Sequence, residues 1–577
     1  MNKKTKLKNT VQNKHLPFSE IKRRLIIGSR GSKLALWQAN FISDELKKIG
    51  MDAEIKIIKT QGDIVKNLSL DKMEGKGFFT KEIEDALLKK EIDLAVHSHK
   101  DLPTKSPKGL MIAAVSERED PSELLLINKN ATDEKQKFLM KQNAVVGTSS
   151  ARRKSQILAW RNDVKLKDLR GNIPTRIQKL RDKKYDAILI ANAGVTRLKI
   201  NTDEFYCEKL DAKEFIPAPA QGVLALQIRK SDKELFKKLR QLNCKEVAET
   251  IAVERKVLNL LEGGCQLPIG VHCEKYENEN ECSIFKVRVA IANKWNFDNC
   301  VSEQISFPRY FYFESKKTEG FAEEIVKKIT SHSSYFSHLK SGMNVSVFIS
   351  RDEKKNDFLK RCLEANGYKV FCQSLIEMKQ IPIKKYTKCD WIFFSSKNAV
   401  KYFFEQNPDV DGVRFGAIGK TTAEKIRKYG KRANFIGNSN DTDRTGKKFS
   451  AMVGRQTVLF PQAKESMRTI QQQLRKEQVI DLVVYETLKK NDEINFKPKD
   501  INIFVFTSPS NVEAFFEKHY LTSIISPNGK KNKAKHKPNF VAMGNTTANA
   551  LKKFGVKTNK QPPSFDDLGL VQAIYSI

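Results

Sequence analysis

The sequence predicts an α/β protein of several domains, on three observations. Its 577 residues are too many for a single core. Residues 25–230 alternate short β-rich runs with amphipathic helical stretches. The second half contains an internal repeat of α/β character.

The elements read in order as follows. "RRLIIGS" (23–29) is a strand, "KLALWQANFISDELKKIG" (33–50) an amphipathic helix and "AEIKIIKT" (53–60) a strand. "KEIEDALLKKEI" (81–92) is a helix and "DLAVHS" (93–98) a strand. "AVVGTSS" leads into the helix "ARRKSQILAWRN", and "DAILIANAG" follows another helix. This order predicts a largely parallel sheet. From about 243 the character changes: the helix "VAETIAVERKVLNLL" precedes "LEGGCQLPIG" (261–270), and "IFKVRVAIAN" (284–293) reads as a strand of a small α+β module. The polar stretch "SHSSYFSHLKSGMN" (331–344) is the main predicted boundary. Beyond it "FSSKNAVKYFF" matches "FTSPSNVEAFF", with Ser396 and Ser508 at an offset of 112. "AIGKTTAEKIRKYG" matches "AMGNTTANALKKFG", with Gly419 and Gly544 at an offset of 125. The difference is a basic insert at 526–539. Each copy predicts a strand ending in Ser/Thr-Ser before a helix, and a second ending in Gly-x-Thr-Thr before a helix.

Composition narrows the function classes. At 40% hydrophobic and 30% charged residues the chain is globular. No apolar run approaches the roughly 18 residues that span a bilayer. The basic start lacks the apolar core of a secretory signal and reads as a frayed tail. Nine cysteines without a C-x-x-C pair fit a reduced compartment better than a disulfide framework. His272, Cys273 and Cys282 lie close in sequence, but a zinc site wants a fourth ligand and tighter pairing, so no metal is expected. The net charge of +36 raises nucleic-acid binding, yet its lysines are dispersed and no nucleic-acid motif accompanies them. A small polyanionic substrate drawn in by a positive field is the favoured alternative.

The first half repeats one device: arginines near predicted helix N-termini, beside hydroxyls and glycines. Arg30 and Ser32 lie in "GSRGSKLAL", Arg152 and Arg153 follow "GTSS", Arg170 and Arg176 bracket "RGNIPTR", and Arg197 ends "NAGVTR". Helix N-termini and guanidiniums both favour carboxylates or phosphates, and the carboxyl edge of such sheets is where ligands bind. "DLAVHSHKDLP" places His97, His99, Lys100 and Asp101 at a strand end, where an ionised carboxylate could stabilise a cation or carry protons; a plain turn aspartate is the competing reading. Cys265, after two glycines, reads as either a packed thiol or a nucleophile.

Taken together, "GSRGSKLALWQA", "KGFFTKEIEDALL", "DLAVHSHKDLP", "GTSSARRKSQ", "LRGNIPTRIQKL", "PAPAQGVLALQ" and "LEGGCQLPIG" closely resemble the porphobilinogen deaminase (hydroxymethylbilane synthase) family over about 25–310. The remainder resembles uroporphyrinogen III synthase through "FFSSKNAVKYFF", "AIGKTTA", "VVYET", "VFTSPSNVEAFF", "MGNTTANAL" and "PPSFDDLGLVQAI". The resemblance implies two periplasmic-binding-protein-like α/β lobes (23–118 with 215–242, and 119–214) and a small α+β cofactor-carrying domain at 243–330. A 331–343 linker and a two-lobed α/β synthase follow, with 344–380 and 489–577 as one lobe and 382–486 as the other, behind a basic tail at 1–22.

It further implies a dipyrromethane cofactor on Cys265 through a thioether, and Asp101 as the catalytic carboxylate. Arg30, Ser32, Lys100, Ser150, Arg152 and Arg153 would hold the cofactor's acids, and Lys76, Arg170, Arg176 and Arg197 the substrate's, with Phe79 stacking on pyrroles. Ala220 stands where the family usually has glycine. In the synthase half Tyr485 would assist catalysis, and Ser396, Thr421, Ser508, Thr546 and Thr547 would bind substrate at helix N-termini, although N-capping alone is the competing reading. The implied function is a bifunctional, cytoplasmic, monomeric enzyme of haem biosynthesis. It would take porphobilinogen and hydroxymethylbilane, with neither nucleic acid nor membrane as partner. A deaminase with an inactive synthase half and a non-catalytic solute-binding protein are the rivals.

Overall fold

The computed structural model describes residues 24–61, 80–261, 268–277, 283–292, 307–339, 345–353, 357–384, 387–438, 441–518 and 538–577. Contacts divide them into two compact units: residues up to Glu119 with Gly222–Ala248, and Asp120–Gln221 with Glu249–Ile577.

The first unit is built on one five-stranded sheet, ordered Ala53–Ile57, Leu25–Ser29, Leu94–Ser98, Leu224–Arg229, Leu110–Val115. Its central strands are apolar on both faces, as burial between helices requires. Leu25, Ile27, Leu94, Val96, Leu224 and Leu226 share a core with Ala39, Ile42 and Leu46 of the helix Lys33–Lys48. Ile83, Ala86 and Leu87 of the helix Lys81–Leu88 join Ile92, Ala95 and Leu110 in a second cluster. The sheet is mixed rather than largely parallel, because Leu224–Arg229 runs antiparallel to both neighbours. The chain enters that strand beside the end of Leu94–Ser98, where the His99 N–H donates to the Val223 carbonyl at 2.9 Å, so it can only run back.

The second unit begins with a sheet ordered Lys165–Lys167, Val145–Gly147, Ala187–Ala191, Glu123–Asn128, Phe205–Leu210. Here too one strand, Glu123–Asn128, is antiparallel to its neighbours. An antiparallel meander follows, Ile269–Glu277, Ser283–Ile291 and Arg309–Ser315, with the helices Lys245–Leu260 and Phe321–Leu339. The expected 331–343 linker is therefore helical as far as Leu339. Phe321, Ile325 and Ile329 bury its first turns in the core, and the helix runs on from them.

The buried carboxylate of Glu254 joins these parts. Its Oε2 accepts from the Ala220 N–H at 2.7 Å and its Oε1 from the Cys273 N–H at 2.8 Å. Gly270 passes so close to the Ile216 carbonyl that a Cβ would stand 2.4 Å from that oxygen. Ala220 itself is fully buried at φ +60°. A side chain in the left-handed region costs roughly 1–2 kcal/mol, against which glycine's greater freedom when unfolded must be set. Ala220→Gly is therefore expected to raise stability by up to about 1 kcal/mol, read as a higher denaturant midpoint at unchanged slope.

The last part carries two sheets. Lys369–Cys372, Ser346–Ile349, Ile503–Phe506 and Asn539–Ala542 are all parallel. The six-stranded sheet runs Ile376–Gln380, Val479–Lys489, Val458–Ala463, Trp391–Phe394, Arg414–Ala417, Ala433–Ile436. Ile376–Gln380 pairs antiparallel with Val479–Lys489, so the structure assigns it to the second sheet, and the chain changes sheets at 373–375 rather than near Ile381.

Candidate active sites

In the first unit, Leu94–Ser98 ends in a short turn, His99–Asp101, that carries Lys100 half-buried and Asp101 exposed. Beneath it runs a buried polar chain that sequence reasoning missed. His97 Nε2 lies 3.0 Å from Gln227 Oε1, Gln227 Nε2 donates to Glu84 Oε1 at 2.9 Å, and Thr80 donates to Glu84 Oε2 at 3.4 Å. Since the Gln227 amide donates to Glu84, its oxygen accepts, and His97 carries its hydrogen on Nε2. The sole sequence signal was a glutamine inside the apolar strand "LALQIR". The chain fixes the strand under Lys100 and Asp101 to its neighbour and to the helix Lys81–Leu88. Ser98 is held by Gln38 at 2.9 Å. Ser32 caps the helix Lys33–Lys48 by accepting from the Ala35 N–H at 3.2 Å, with half-buried Arg30 just before it.

Burial pushes the His97 pKa down to about 4, the Gln227 hydrogen bond opposing it. Burial likewise raises that of Glu84. The signs are opposite. Neutral His97 stabilises the fold above its unfolded pKa of about 6.5, and this is lost as pH falls toward 4. The Glu84 contribution is complete below the unfolded carboxyl value and is lost as pH rises through the folded one. Glu84→Gln keeps the acceptor for Gln227 and removes the opposing titration. That variant is expected to lose up to about 1.4 kcal/mol per pH unit between pH 6.5 and 4, more steeply than wild type, measured by denaturant midpoints across that range.

In the second unit, Ser150 stands at the N-cap of the helix Ala151–Trp160 without a side-chain capping bond. Arg152 and Arg153 open that helix with their guanidiniums buried against Glu123. Arg152 Nη2 lies 2.6 Å from Glu123 Oε1 and its Nη1 donates to the Ile216 carbonyl at 3.1 Å. Arg153 Nη2 lies 2.7 Å from Glu123 Oε2 and its Nη1 donates to the Leu189 carbonyl at 3.0 Å. The Glu123 side chain is fully buried, and a buried carboxylate needs such partners. Burial lowers the Arg152 pKa, opposed by Glu123. The sequence signal was a lone acid heading the apolar strand "ELLLIN".

The other arginines differ. Arg176 lies in the first turn of the helix Ile173–Arg181 and its Nε donates to the Gly171 carbonyl at 2.7 Å. Arg197, buried, ends the helix Asn192–Arg197, at the C-terminal end rather than the expected N-terminal one. Arg170 keeps a buried Nη2 with no hydrogen-bond partner among the described residues. Such a donor is suited to a carboxylate. Lys76, Phe79 and Cys265 lie outside the described residues. His272 and Cys273 are adjacent on a strand and point to opposite faces, while Cys282 is not described.

In the last part, Tyr485 OH lies 3.4 Å from Ser396 Oγ, and its ring stacks on Tyr402 at 5.3 Å. Burial raises the Tyr485 pKa, so its hydroxyl holds its proton. Ser396 caps its helix by accepting from the Ala399 N–H at 3.0 Å, and Ser508 does so from Asn511 at 3.3 Å. The threonine N-caps expected in the second pair of turns are glycines instead. Gly419 and Gly544 hold those positions, Gly544 at φ +106°, a conformation a β-branched residue resists. Thr421 and Thr546 are exposed in the first turns, whereas Thr547 is buried.

Residues 25–237 match the family model "Porphobilinogen deaminase, dipyromethane cofactor binding domain", and 248–296 its C-terminal domain. Residues 357–572 match "Uroporphyrinogen-III synthase HemD". Among curated proteins, porphobilinogen deaminases of Bacillus cereus and Bacillus thuringiensis are each 46% identical over 259 residues, 44% of this chain and 82% of theirs. Among solved structures, uroporphyrinogen-III synthetase of Helicobacter pylori is 19% identical with a TM-score of 0.29, covering 40% of this chain and 97% of that one. The chain belongs to the porphobilinogen deaminase family and carries a uroporphyrinogen-III synthase module fused behind it.

Proposed function

We infer that the chain is a bifunctional enzyme of haem biosynthesis, making hydroxymethylbilane from four porphobilinogen and closing it to uroporphyrinogen III. The family match across 25–296, which takes in the Asp101 and Cys265 motifs, carries this reading. Each condensation joins a pyrrole carbon to the methylene of the next porphobilinogen, with loss of ammonia and of the pyrrole proton. Cys265 would hold a dipyrromethane cofactor through its sulfur, and that group would supply the first nucleophilic pyrrole and the anchor for the growing chain. Asp101 sets its carboxylate beside the pyrrole cation left as ammonia departs, and takes up the proton released. Arg30, Ser32, Lys76, Lys100, Ser150, Arg170 and Arg176 bind acetate and propionate groups, with Arg170 favoured by its unpaired Nη2. Arg152 and Arg153 act on the ligand only by exchanging Glu123 for a substrate carboxylate; otherwise they hold the helix start in place.

In the synthase module, expulsion of the substrate hydroxyl is driven by the adjoining pyrrole, and positioning supplies much of the rate. Tyr485, protonated and beside Ser396, donates to the leaving oxygen. We place the enzyme in the cytoplasm as a monomer.

Purified enzyme given porphobilinogen tests both activities at once. Chromatography of the oxidised products is expected to show the type III isomer; type I alone would mean a silent synthase module, and no product a silent deaminase. Given hydroxymethylbilane directly, Tyr485→Phe is expected to slow type III formation about 10²-fold or more, with spontaneous type I taking its place. Wild-type rates would make Tyr485 structural.

A further inference from the structure

The C-terminal helix Asp567–Tyr575 is buried at every position from Leu568 to Tyr575. A helix on the surface of one module needs a single apolar stripe, and one buried all round is covered on two sides. One side is the synthase's own: Leu568, Leu570, Val571 and Ile574 share a cluster with Val347, Ile349, Val505 and Val541. The other partner is the deaminase's third domain. Phe311 and Tyr575 rings lie 6.0 Å apart, and Phe311 belongs to Arg309–Ser315, the edge strand of the three-stranded sheet.

A second helix of the synthase reaches further into the deaminase. Phe358 heads Phe358–Glu364 and stacks on Trp160 at 3.9 Å and 10°, with Tyr310 at 6.0 Å. Adjacent strand residues point to opposite faces, yet Tyr310 and Phe311 are 0% and 2% exposed. The Tyr575 hydroxyl, donating to the Cys362 carbonyl at 2.7 Å, ties the two synthase helices together. At a separate point, Tyr206 of the strand Phe205–Leu210 hydrogen-bonds Arg427 of the synthase helix Lys420–Arg427, with the carboxylate of Glu208 in the electrostatic reach of Arg427 and Lys420. The larger contact is apolar and stacked at its centre, the pattern of a stable interface.

We propose that the synthase module is a docked partner of the deaminase's second lobe and third domain, gripped by the core around Trp160, Tyr310, Phe311, Phe358 and Tyr575, and that the covalent link at 340–344 is dispensable for this grip. The link then acts only to raise local concentration.

The test uses the full chain with a protease site inserted at 340–344. After complete cutting, the two fragments are expected to co-elute at the uncut volume at about 1 µM. Separate elution at that concentration overturns the proposal. Phe358→Asp in the same cleavable chain is expected to release the synthase fragment after cutting. Trp160→Leu, on the other side of the stack, serves where Phe358→Asp does not fold, and is expected to weaken the association about tenfold or more. Undiminished association in both variants overturns the assignment of this core as the grip. The readout is elution, so a failure here is distinct from a missing enzyme activity.

Discussion

Cys265→Ser is expected to leave the protein lighter than wild type by one dipyrromethane and to reduce deaminase turnover to background. The thiolate is the form that attacks an electrophilic methylene, and a serine hydroxyl is not ionised at neutral pH. Cys273 and Cys362 are buried. Burial pushes the Cys362 thiol far up and brings Cys372 and Cys389 to about 11. Intact mass of each purified protein checks the first half, and ammonia or hydroxymethylbilane release the second. An active variant of unmodified mass would refute a covalent cofactor; one carrying the full added mass would move the attachment to another thiol.

Asp101→Asn is expected to lower kcat by roughly 10²–10⁴, with the cofactor still attached. The side chain is exposed on a turn whose strand is fixed by His97, Gln227 and Gln38, so its amide replacement costs the fold little. What is lost is the negative charge beside a developing cation and the acceptor for its proton. KM should change far less than kcat, since the interaction strengthens only as ammonia departs. Near-normal turnover would reduce Asp101 to a turn residue.

Most of the strand-to-helix turns could be read from local pattern. Ser32, Ser396 and Ser508 sit at the helix starts their spacing implied, because a cap is settled within four residues. What escaped was set by distant partners. Nothing near Arg152 announces Glu123, 29 residues earlier. Nothing in "LALQIR" reveals that Gln227 bonds across 143 residues to Glu84. The reversed strands Glu123–Asn128 and Leu224–Arg229 likewise follow from where the chain re-enters each sheet. In the synthase repeat the sequence alignment of Thr421 with Thr546 was sound, but backbone geometry gave the caps to Gly419 and Gly544.

The helix that seals Tyr575 against Phe311 is made after every other described element. Arg309–Ser315 leaves the ribosome about 250 residues earlier. At 5–20 residues per second its aromatic face waits roughly 12–50 s for cover. Ser346–Ile349 waits in the same way for Ile503–Phe506. During translation the nascent enzyme therefore presents an unsealed aromatic strand, a natural landing place for chaperones and a point at which premature termination yields a sticky fragment rather than a free-standing deaminase.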